Sequence, residues 1–309
     1  MSRRASALAC PSSLKGVLSA VAAAAALVDG FAAAGVACDA VPLADGGEGT
    51  LDAIPGGRVM LHEVRDAFGR PRTAAVRETE AATIVEAAQV IPLDPLRLDP
   101  LAASSRGLGE LLARLRPRRL VVGIGGTATM DGGAGLLEAL DRLPCPTTVL
   151  CDVRTRLYDA PRLFGPQKGA TSEQIELLER RLRALARLAP YAALPGSGAA
   201  GGLGAAFAAL GAELVSGAAA VLDLAGFDAR DRDLVVTGEG TVDATTGEGK
   251  APAAVARRCL EAGVRCVVFG GRVVSALPHA ETIALSGDPS RAENDLRRLG
   301  ERLGRELLG

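Results

Sequence analysis

Only three residues in this 309-residue chain are lysines, although it carries 35 basic residues, and the surroundings of all three suggest an anion site. Lys15, Lys168 and Lys250 each lie next to glycine in a polar, turn-rich segment, namely PSSLKG, FGPQKG and TGEGK. Lysine is a compact charge on a flexible stem that can reach a phosphate oxygen, whereas arginine is a planar fork. Any one of these lysines could be a solvated surface residue, but the three together favour an anion site, most simply one for phosphate.

Three glycine-rich loops also carry carboxylates, at 44–50 (ADGGEGT), 123–135 and 238–250. Glycine lets backbone N–H groups approach a ligand, as they do in anion-binding loops before helices. Carboxylates beside such backbone suit a magnesium–nucleotide site, because Mg²⁺ takes one or two carboxylates together with phosphate oxygens. An acid in a loop can instead cap the next helix, and for Asp131 and Asp152 both interpretations remain open.

Two common nucleotide-binding patterns do not account for these loops. The segment GSGAAG at 196–201 has the spacing of a dinucleotide-binding fingerprint, but the preceding PYAALP ends in Pro195 and makes a poor strand. The chain contains no G-x-x-x-x-G-K-[ST] motif, which excludes a P-loop kinase. A dehydrogenase is therefore disfavoured, and a phosphate-binding enzyme of another kind is favoured.

The elements that must position the loops alternate between strands and helices, which predicts an α/β protein with parallel strand pairing. The connection 90–101 carries three prolines and is predicted to be extended. Strands are predicted at 5–10, 37–43, 59–65, 73–77, 83–87, 119–124, 149–153, 233–237 and 266–269, and helices at 17–34, 104–115, 173–188 and 251–261, after glycines 196–204, and at the C-terminus.

Composition excludes several classes of protein. The net charge is −1 and the arginines are interleaved with acids, so no clustered basic face for nucleic acid is expected. Six cysteines without a C-x-x-C pair favour reduced thiols, and no apolar run has the length of a membrane span. We expect a soluble, cytoplasmic enzyme. Leu296, Leu299, Leu303 and Leu307 stripe the last helix, a face that fits the core or a homodimer interface equally well.

Seven segments, in order from about residue 8 to about residue 256, resemble the motifs of the bacterial glycerate kinases, which phosphorylate D-glycerate without a P-loop. They are PSSLKGVLSA, ADGGEGTLDAI, DPLAASSRGLGELL, GIGGTATMDGGAGLLEAL, CDVRTRLYDAPRLFGPQKGAT, GSGAAGGLGAAFAALGAEL and LVVTGEGTVD…GK. The resemblance implies two unlike α/β domains, one flavodoxin-like (Rossmann-like) and the other inserted into it, with the active site in the cleft between them. We predict the flavodoxin-like domain at 1–45 plus about 200–309, and the inserted domain at about 46–199.

The resemblance also implies the cofactors ATP and Mg²⁺ and the substrate D-glycerate, with 2-phosphoglycerate as product. We expect Asp243 or Asp45 to accept the hydroxyl proton, and Lys15 and Lys250 to contact phosphate oxygens. Arg106 is the candidate clamp for the substrate carboxylate, unless it is a helix-surface arginine. The further predicted contacts are with substrate for Ser13 and Lys168, with nucleotide for Gly125, Gly126, Thr127, Gly201, Gly202 and Glu239, and with metal for Glu48, Asp131 and Asp152.

The chain also departs from the family pattern. Ser12 stands where an aspartate is expected, Met130 replaces an asparagine and Thr241 replaces a basic residue. About thirty residues of the pattern are missing between Leu140 and Val149. Three alternatives therefore stay open: 3-phosphoglycerate as product, another small hydroxy acid as substrate, or a non-catalytic relative that binds a nucleotide or an organic acid.

Overall fold

The computed structural model describes residues 5–244, 246 and 250–309, and the chain divides into two compact units. Unit 1 comprises Met1–Ala44, Asp52–Pro55 and Ala218–Gly309, and unit 2 comprises Asp45–Leu51 and Gly56–Gly217. Part of the predicted loop at 238–250 lies outside the described residues. Within the described part of the chain, no helix has the length and apolar character needed to cross a membrane.

Strands and helices alternate along most of the chain. The strands are β1 (Ser6–Pro11), β2 (Ala37–Ala40), β3 (Arg58–Arg65), β4 (Pro71–Glu78), β5 (Thr83–Glu86), β6 (Leu120–Gly123), β7 (Thr147–Leu150), β8 (Glu213–Val215), β9 (Leu234–Val242), β10 (Arg265–Val273) and β11 (Glu281–Ala284). The helices are α1 (Ala20–Ala33), α2 (Thr50–Ala53), α3 (Ala87–Val90), α4 (Arg106–Arg114), α5 (Ala134–Ala139), α6 (Ala160–Phe164), α7 (Ser172–Ala184), α8 (Ala199–Ala209), α9 (Gly217–Leu224), α10 (Ala251–Ala262) and α11 (Ala292–Leu308).

Unit 1 is built on a five-stranded parallel sheet in the order β11-β10-β9-β1-β2. Numbered within the unit alone, the order is 2-1-3-4-5, which is that of flavodoxin-like folds and reverses direction between β1 and β9. One apolar cluster joins α1 and α11 to the sheet, and another joins α9 and α10 to it. The flavodoxin-like architecture predicted for one of the two domains is therefore confirmed.

The leucine stripe of α11 belongs to the core of unit 1. Leu296, Leu299 and Leu303 are buried in the same apolar cluster as Leu27 and Phe31 of α1. The two helices approach closely at Gly30, where an added Cβ atom would lie 2.0 Å from the backbone oxygen of Arg297. The stripe therefore does not indicate a homodimer interface.

Unit 2 contains a mixed six-stranded sheet in the order β3-β4-β5-β6-β7-β8. The strands β5 to β8 are parallel, as predicted, but β3, β4 and β5 pair antiparallel. Parallel pairing is wrong for the β3–β4 and β4–β5 pairs, because their connections, 66–70 and 79–82, are too short for a crossover. Residues 199–217 lie in unit 2 because β8 pairs with β7 and α8 packs into its core.

The strand that carries the last glycine loop is longer than predicted. A loop was expected from Gly238 onward, but β9 continues to Val242, paired along its length with β10. Glycine at 238 permits this pairing, since an added Cβ atom would lie 2.2 Å from the backbone oxygen of Phe269. Seven short elements were not predicted, because they are too short to show a clear period: α2, α3, α5, α6, α9, β8 and β11.

Candidate active site

The loop after β1 lies at the point where the strand order of unit 1 reverses. Ser12 N–H donates to the backbone oxygen of Gly238 at 2.8 Å, which holds the start of the loop against β9. A Cβ atom added at Gly240 would lie 3.6 Å from the backbone nitrogen of Lys15. Ligands of open α/β sheets bind outside the carboxyl ends of the strands at this reversal. Ser13 and Lys15 therefore occupy the position in unit 1 where a ligand is expected.

The end of β9 and the start of α10 bring three more predicted residues together. Glu239 accepts a hydrogen bond from the buried Thr246 hydroxyl at 2.6 Å and lies 3.8 Å from Lys250 Nζ. Thr246 also accepts from Asp243 N–H at 3.1 Å and donates its own N–H to Asp243 Oδ1 at 3.3 Å. Lys250 is the N-cap of α10, where the helix dipole favours an anion. This cluster can present a cation and an oriented carboxylate to a phosphorylated ligand.

In unit 2, a second cluster forms at the carboxyl ends of β6 and β7. A Cβ atom added at Gly46 would lie 2.8 Å from the Leu150 backbone oxygen, and one added at Gly125 would lie 2.8 Å from Gly47 Cα. The loop 45–50 therefore packs directly on the loop after β6. Gly217 approaches the Asp45 backbone oxygen, and the neighbouring Ser216 hydroxyl donates to Asp152 Oδ1 at 3.2 Å. The segments that carry Asp45, Gly125 and Asp152 are thereby brought together.

Gly126 and Thr127 continue this loop. Gly126 has a positive φ of 71°, and Thr127 forms an isolated bridge with Pro92. The Thr127 hydroxyl is buried, and among the described residues no group hydrogen-bonds to it.

Glu86 was not among the predicted site residues. It is a buried acid at the end of β5, and its carboxylate accepts a hydrogen bond from Leu51 N–H at 2.5 Å. The available signal was a single acid ending the apolar strand TIVE. Glu48 is exposed on the neighbouring loop.

Lys168 is buried in unit 2, whereas an anion-binding lysine was expected to be accessible. Its ammonium donates to the Thr129 backbone oxygen at 2.8 Å. Burial lowers the pKa of Lys168 to about 7, and the charge of Asp131 partly offsets that effect. The adjacent Met130 is buried against Ala160 and Leu178, so this departure from the family pattern is accommodated in the core. Lys168 therefore holds the glycine loop from within the unit.

Asp131 has the contacts of a capping residue. Oδ2 accepts from the backbone N–H and hydroxyl of Ser105 at 2.8 and 2.7 Å and from Gly135 N–H at 3.2 Å, and Oδ1 accepts from Gly133 N–H at 2.9 Å. These bonds tie the start of α5 to the start of α4. They support the capping alternative for Asp131 over the metal alternative.

Gly201 and Gly202 allow α8 to approach the glycine loop. Both have positive φ angles, and a Cβ atom added at Gly201 would lie 2.1 Å from the Thr129 backbone oxygen. The preceding segment 186–191 is a 3-10 helix, so the dinucleotide-binding fingerprint lacks its strand here. The close packing of α8 against the glycine loop therefore explains why both positions are glycine.

Arg106 lies on the surface at the start of α4. Its guanidinium is 3.0 Å from a carboxylate oxygen of Glu110 and 3.3 Å from one of Glu138. The side chain of Arg106 is 56% exposed, Glu138 is exposed and Glu110 is half-buried. This geometry matches the helix-surface alternative for Arg106.

Among the described residues, no group of three His, Cys, Asp or Glu side chains is arranged to hold a metal ion.

Comparison with known proteins adds independent findings. The sequence model of the glycerate kinase family matches residues 7–145 and 142–288. The two matched parts meet inside the interval 140–149, where the motif comparison predicts a shortened chain. A glycerate kinase from Bacillus subtilis (strain 168) is 32% identical over 326 residues, covering 85% of this chain and 84% of that protein.

Two further comparisons agree. A glycerate 2-kinase from Escherichia coli (strain K12) is 33% identical over 278 residues, covering 70% of this chain and 71% of that protein. The crystal structure of a candidate glycerate kinase 2 from Salmonella typhimurium LT2 matches with a TM-score of 0.83 and 30% identity, covering 99% of both chains. This chain belongs to the glycerate kinase family and is a kinase.

Proposed function

We propose that this kinase transfers the γ-phosphoryl group of Mg-ATP to D-glycerate and releases 2-phosphoglycerate. Its family membership and its similarity to a protein named glycerate 2-kinase support this choice. The observation that carries the proposal is the cluster at the strand reversal of unit 1. There, the loop of Lys15 lies beside β9, and Glu239, Asp243 and Lys250 are joined through Thr246.

Lys15 and Lys250 bind phosphate oxygens of the nucleotide in this proposal. Phosphoryl transfer depends on positioning and on neutralising charge at the transferred group, with little covalent chemistry for the protein to perform. Lys15 is exposed on the loop after β1, so its ammonium is accessible to a ligand. Lys250 is 3.8 Å from Glu239, a distance at which the ion pair can yield to a phosphate oxygen. Glu239 acts as a positioning residue, because it also accepts from the buried Thr246 hydroxyl.

Asp243 accepts the proton of the substrate hydroxyl. A general base must lie within hydrogen-bond reach of that proton and must be held in place. Three hydrogen bonds between Asp243 and Thr246 fix the backbone of Asp243 and one of its carboxylate oxygens. Asp45, exposed on its loop in unit 2, is the second candidate for this role.

The substrate carboxylate is assigned to Ser13 and not to Arg106. Arg106 already faces two carboxylates on the surface, so binding a third would require it to leave them. Ser13 is half-buried on the loop that also carries Lys15, and no described residue hydrogen-bonds to its hydroxyl. Lys168 acts indirectly by holding the Thr129 backbone in unit 2.

The residues of unit 2 fit a magnesium ion in their donor chemistry, since Mg²⁺ needs only one or two carboxylates besides phosphate oxygens and water. Asp152, half-buried beside Ser216, and the exposed Glu48 are the residues that would hold it. The oxygens of Asp131 already accept four hydrogen bonds, so Asp131 is assigned to capping. When bound, the ion would neutralise charge on the phosphates of the nucleotide.

The test is ADP release by the purified protein with Mg-ATP and D-glycerate, followed by coupling to enolase without phosphoglycerate mutase. ADP together with an enolase signal is the expected result, since enolase consumes 2-phosphoglycerate. ADP without that signal would indicate 3-phosphoglycerate. No ADP above a control lacking glycerate would contradict the proposal, and a panel of small hydroxy acids would then separate a changed substrate from a non-catalytic relative.

A further inference from the structure

Strands β9 and β10 continue beyond the rest of the sheet in unit 1. The pairing of β1 with β9 ends at Pro11 and Gly238, whereas β9 and β10 remain paired as far as Val242 and Val273. At Gly270, β10 still pairs with Ala284 of β11, so the segments 240–242 and 271–273 form a two-stranded extension at the carboxyl edge of the sheet. This extension adjoins the strand reversal at which the proposed phosphate-binding residues lie.

One face of this extension is apolar and the other is polar. Val242 is buried in the cluster that α10 covers, and Val273 packs against the same cluster. Thr241 and Arg272 are both exposed, so their side chains point away from that core. They are also register partners, so their side chains lie side by side on adjacent strands.

Arg272 has no counter-charge among the described residues, in contrast to the arginine at the other end of its strand. Arg265, at the amino end of β10, lies 2.7 Å from a carboxylate oxygen of Glu281 and 3.1 Å from one of Glu306. No acidic side chain of the described part of the chain lies within 4.0 Å of the Arg272 guanidinium. Arg265 therefore forms ion pairs within the protein, whereas Arg272, near the other end of the same strand, is exposed to solvent.

We propose that Arg272 binds a phosphate group of the nucleotide, together with Lys15 and Lys250. Guanidinium groups bind phosphate through two parallel hydrogen bonds, which adds geometric selectivity to the charge. The three cations come from the loop after β1, from the start of α10 and from the end of β10, all at the carboxyl edge of one parallel sheet. This inference rests on the proposed function for its ligand, a nucleoside triphosphate.

The test uses the register between the two strands. Arg272→Ser should raise the KM for ATP by about tenfold, as expected for losing one charge-assisted phosphate contact, and leave the KM for glycerate within about twofold. Moving the cation to the adjacent strand in the double variant Arg272→Ser, Thr241→Arg should recover most of the affinity for ATP. Arg298→Ser, an exposed arginine on α11 with no ion pair among the described residues, is the matched control and should behave as the wild type.

Calorimetric titration with Mg-ATP separates this inference from the proposed function, because it does not require turnover. Weaker binding by Arg272→Ser supports the inference even if glycerate proves not to be the acceptor. A Kd for Mg-ATP that matches the wild type overturns the inference, whatever the acceptor. Equal increases in the KM values for ATP and glycerate would also overturn it, since they would indicate a general disturbance of the site.

Discussion

Replacing Lys168 by methionine should stabilise this protein near neutral pH, because keeping the buried native lysine charged lowers the free energy of unfolding. Its ammonium is buried in unit 2, and its one hydrogen bond to a described residue goes to the Thr129 backbone oxygen. Burial lowers the pKa of Lys168 from 10.5 to about 7. Methionine has a similar length and keeps the apolar packing of the stem, but it carries no charge.

The magnitude follows from that difference in pKa. One pKa unit corresponds to about 1.4 kcal/mol, so holding the charged lysine in the folded protein costs about 5 kcal/mol at pH 6. Removing it also leaves the Thr129 carbonyl without its donor, which costs about 1–3 kcal/mol. We therefore expect Lys168→Met to raise the free energy of unfolding by roughly 2–4 kcal/mol at pH 6.

The gain should disappear as the pH rises. Between about pH 7 and 10.5 the unfolded chain still binds the proton that the folded chain has lost, so the wild type becomes more stable with increasing pH. At pH 9 the cost of the native lysine falls to about 2 kcal/mol, and the two proteins should have similar stability.

Urea unfolding followed by circular dichroism at pH 6, 7.5 and 9 measures this difference directly. Lys15→Met, a change at an exposed lysine, is the control and should stay within about 0.5 kcal/mol of the wild type at each pH. A Lys168→Met protein that is less stable at pH 6, or whose difference from the wild type does not change with pH, would refute the reasoning. A lysine that lowers stability at neutral pH is most simply explained by a functional requirement.

Three further predictions concern the proposed chemistry and the packing of the glycine loop. Asp243→Asn should lower kcat by about 100-fold or more and leave the calorimetric Kd for Mg-ATP unchanged; a variant with normal turnover would remove Asp243 from the mechanism. Lys250→Ala should raise the KM for ATP more than that for glycerate, and the opposite pattern in steady-state kinetics would reassign it to the substrate. Gly201→Ala should destabilise the protein by roughly 2 kcal/mol or more, because the new Cβ atom would lie 2.1 Å from the Thr129 backbone oxygen. Gly211→Ala is its control, since Gly211 also has a positive φ but no atom within 4 Å of the added Cβ, and equal melting temperatures for the two would contradict the steric argument.

Local pattern was sufficient to predict most of the elements. The helix ended by Gly35 and the buried run 119–124 were predicted because capping residues and apolar periodicity are local properties of the chain. The pairing of strands was not local to the same degree. The strands β3 and β4 were predicted but their antiparallel pairing was not, because the general alternation of strands and helices was given more weight than the short turn at 66–70.

Tertiary structure separated residues that the sequence presents as equivalent. Lys15, Lys168 and Lys250 share the same kind of segment, but only Lys168 is enclosed and bonded to the backbone of its own unit. Likewise, Gly201 has a positive φ because α8 approaches the glycine loop, a contact between residues about seventy positions apart. A pattern within one segment does not show whether a glycine allows a ligand to approach the backbone or allows another part of the chain to pack there.

The sequence alone therefore determined the family and the α/β class of the chain, since both depend on motifs that are contiguous in sequence. Only the tertiary structure decided which charges are available for chemistry. The role inferred for Arg272 depends on strand register, which places it beside Thr241, a residue 31 positions away in the sequence. Asp131 was assigned to capping because its partners come from the starts of α4 and α5. Burial, register and counter-charge are properties of neighbours in space, which a linear sequence does not contain.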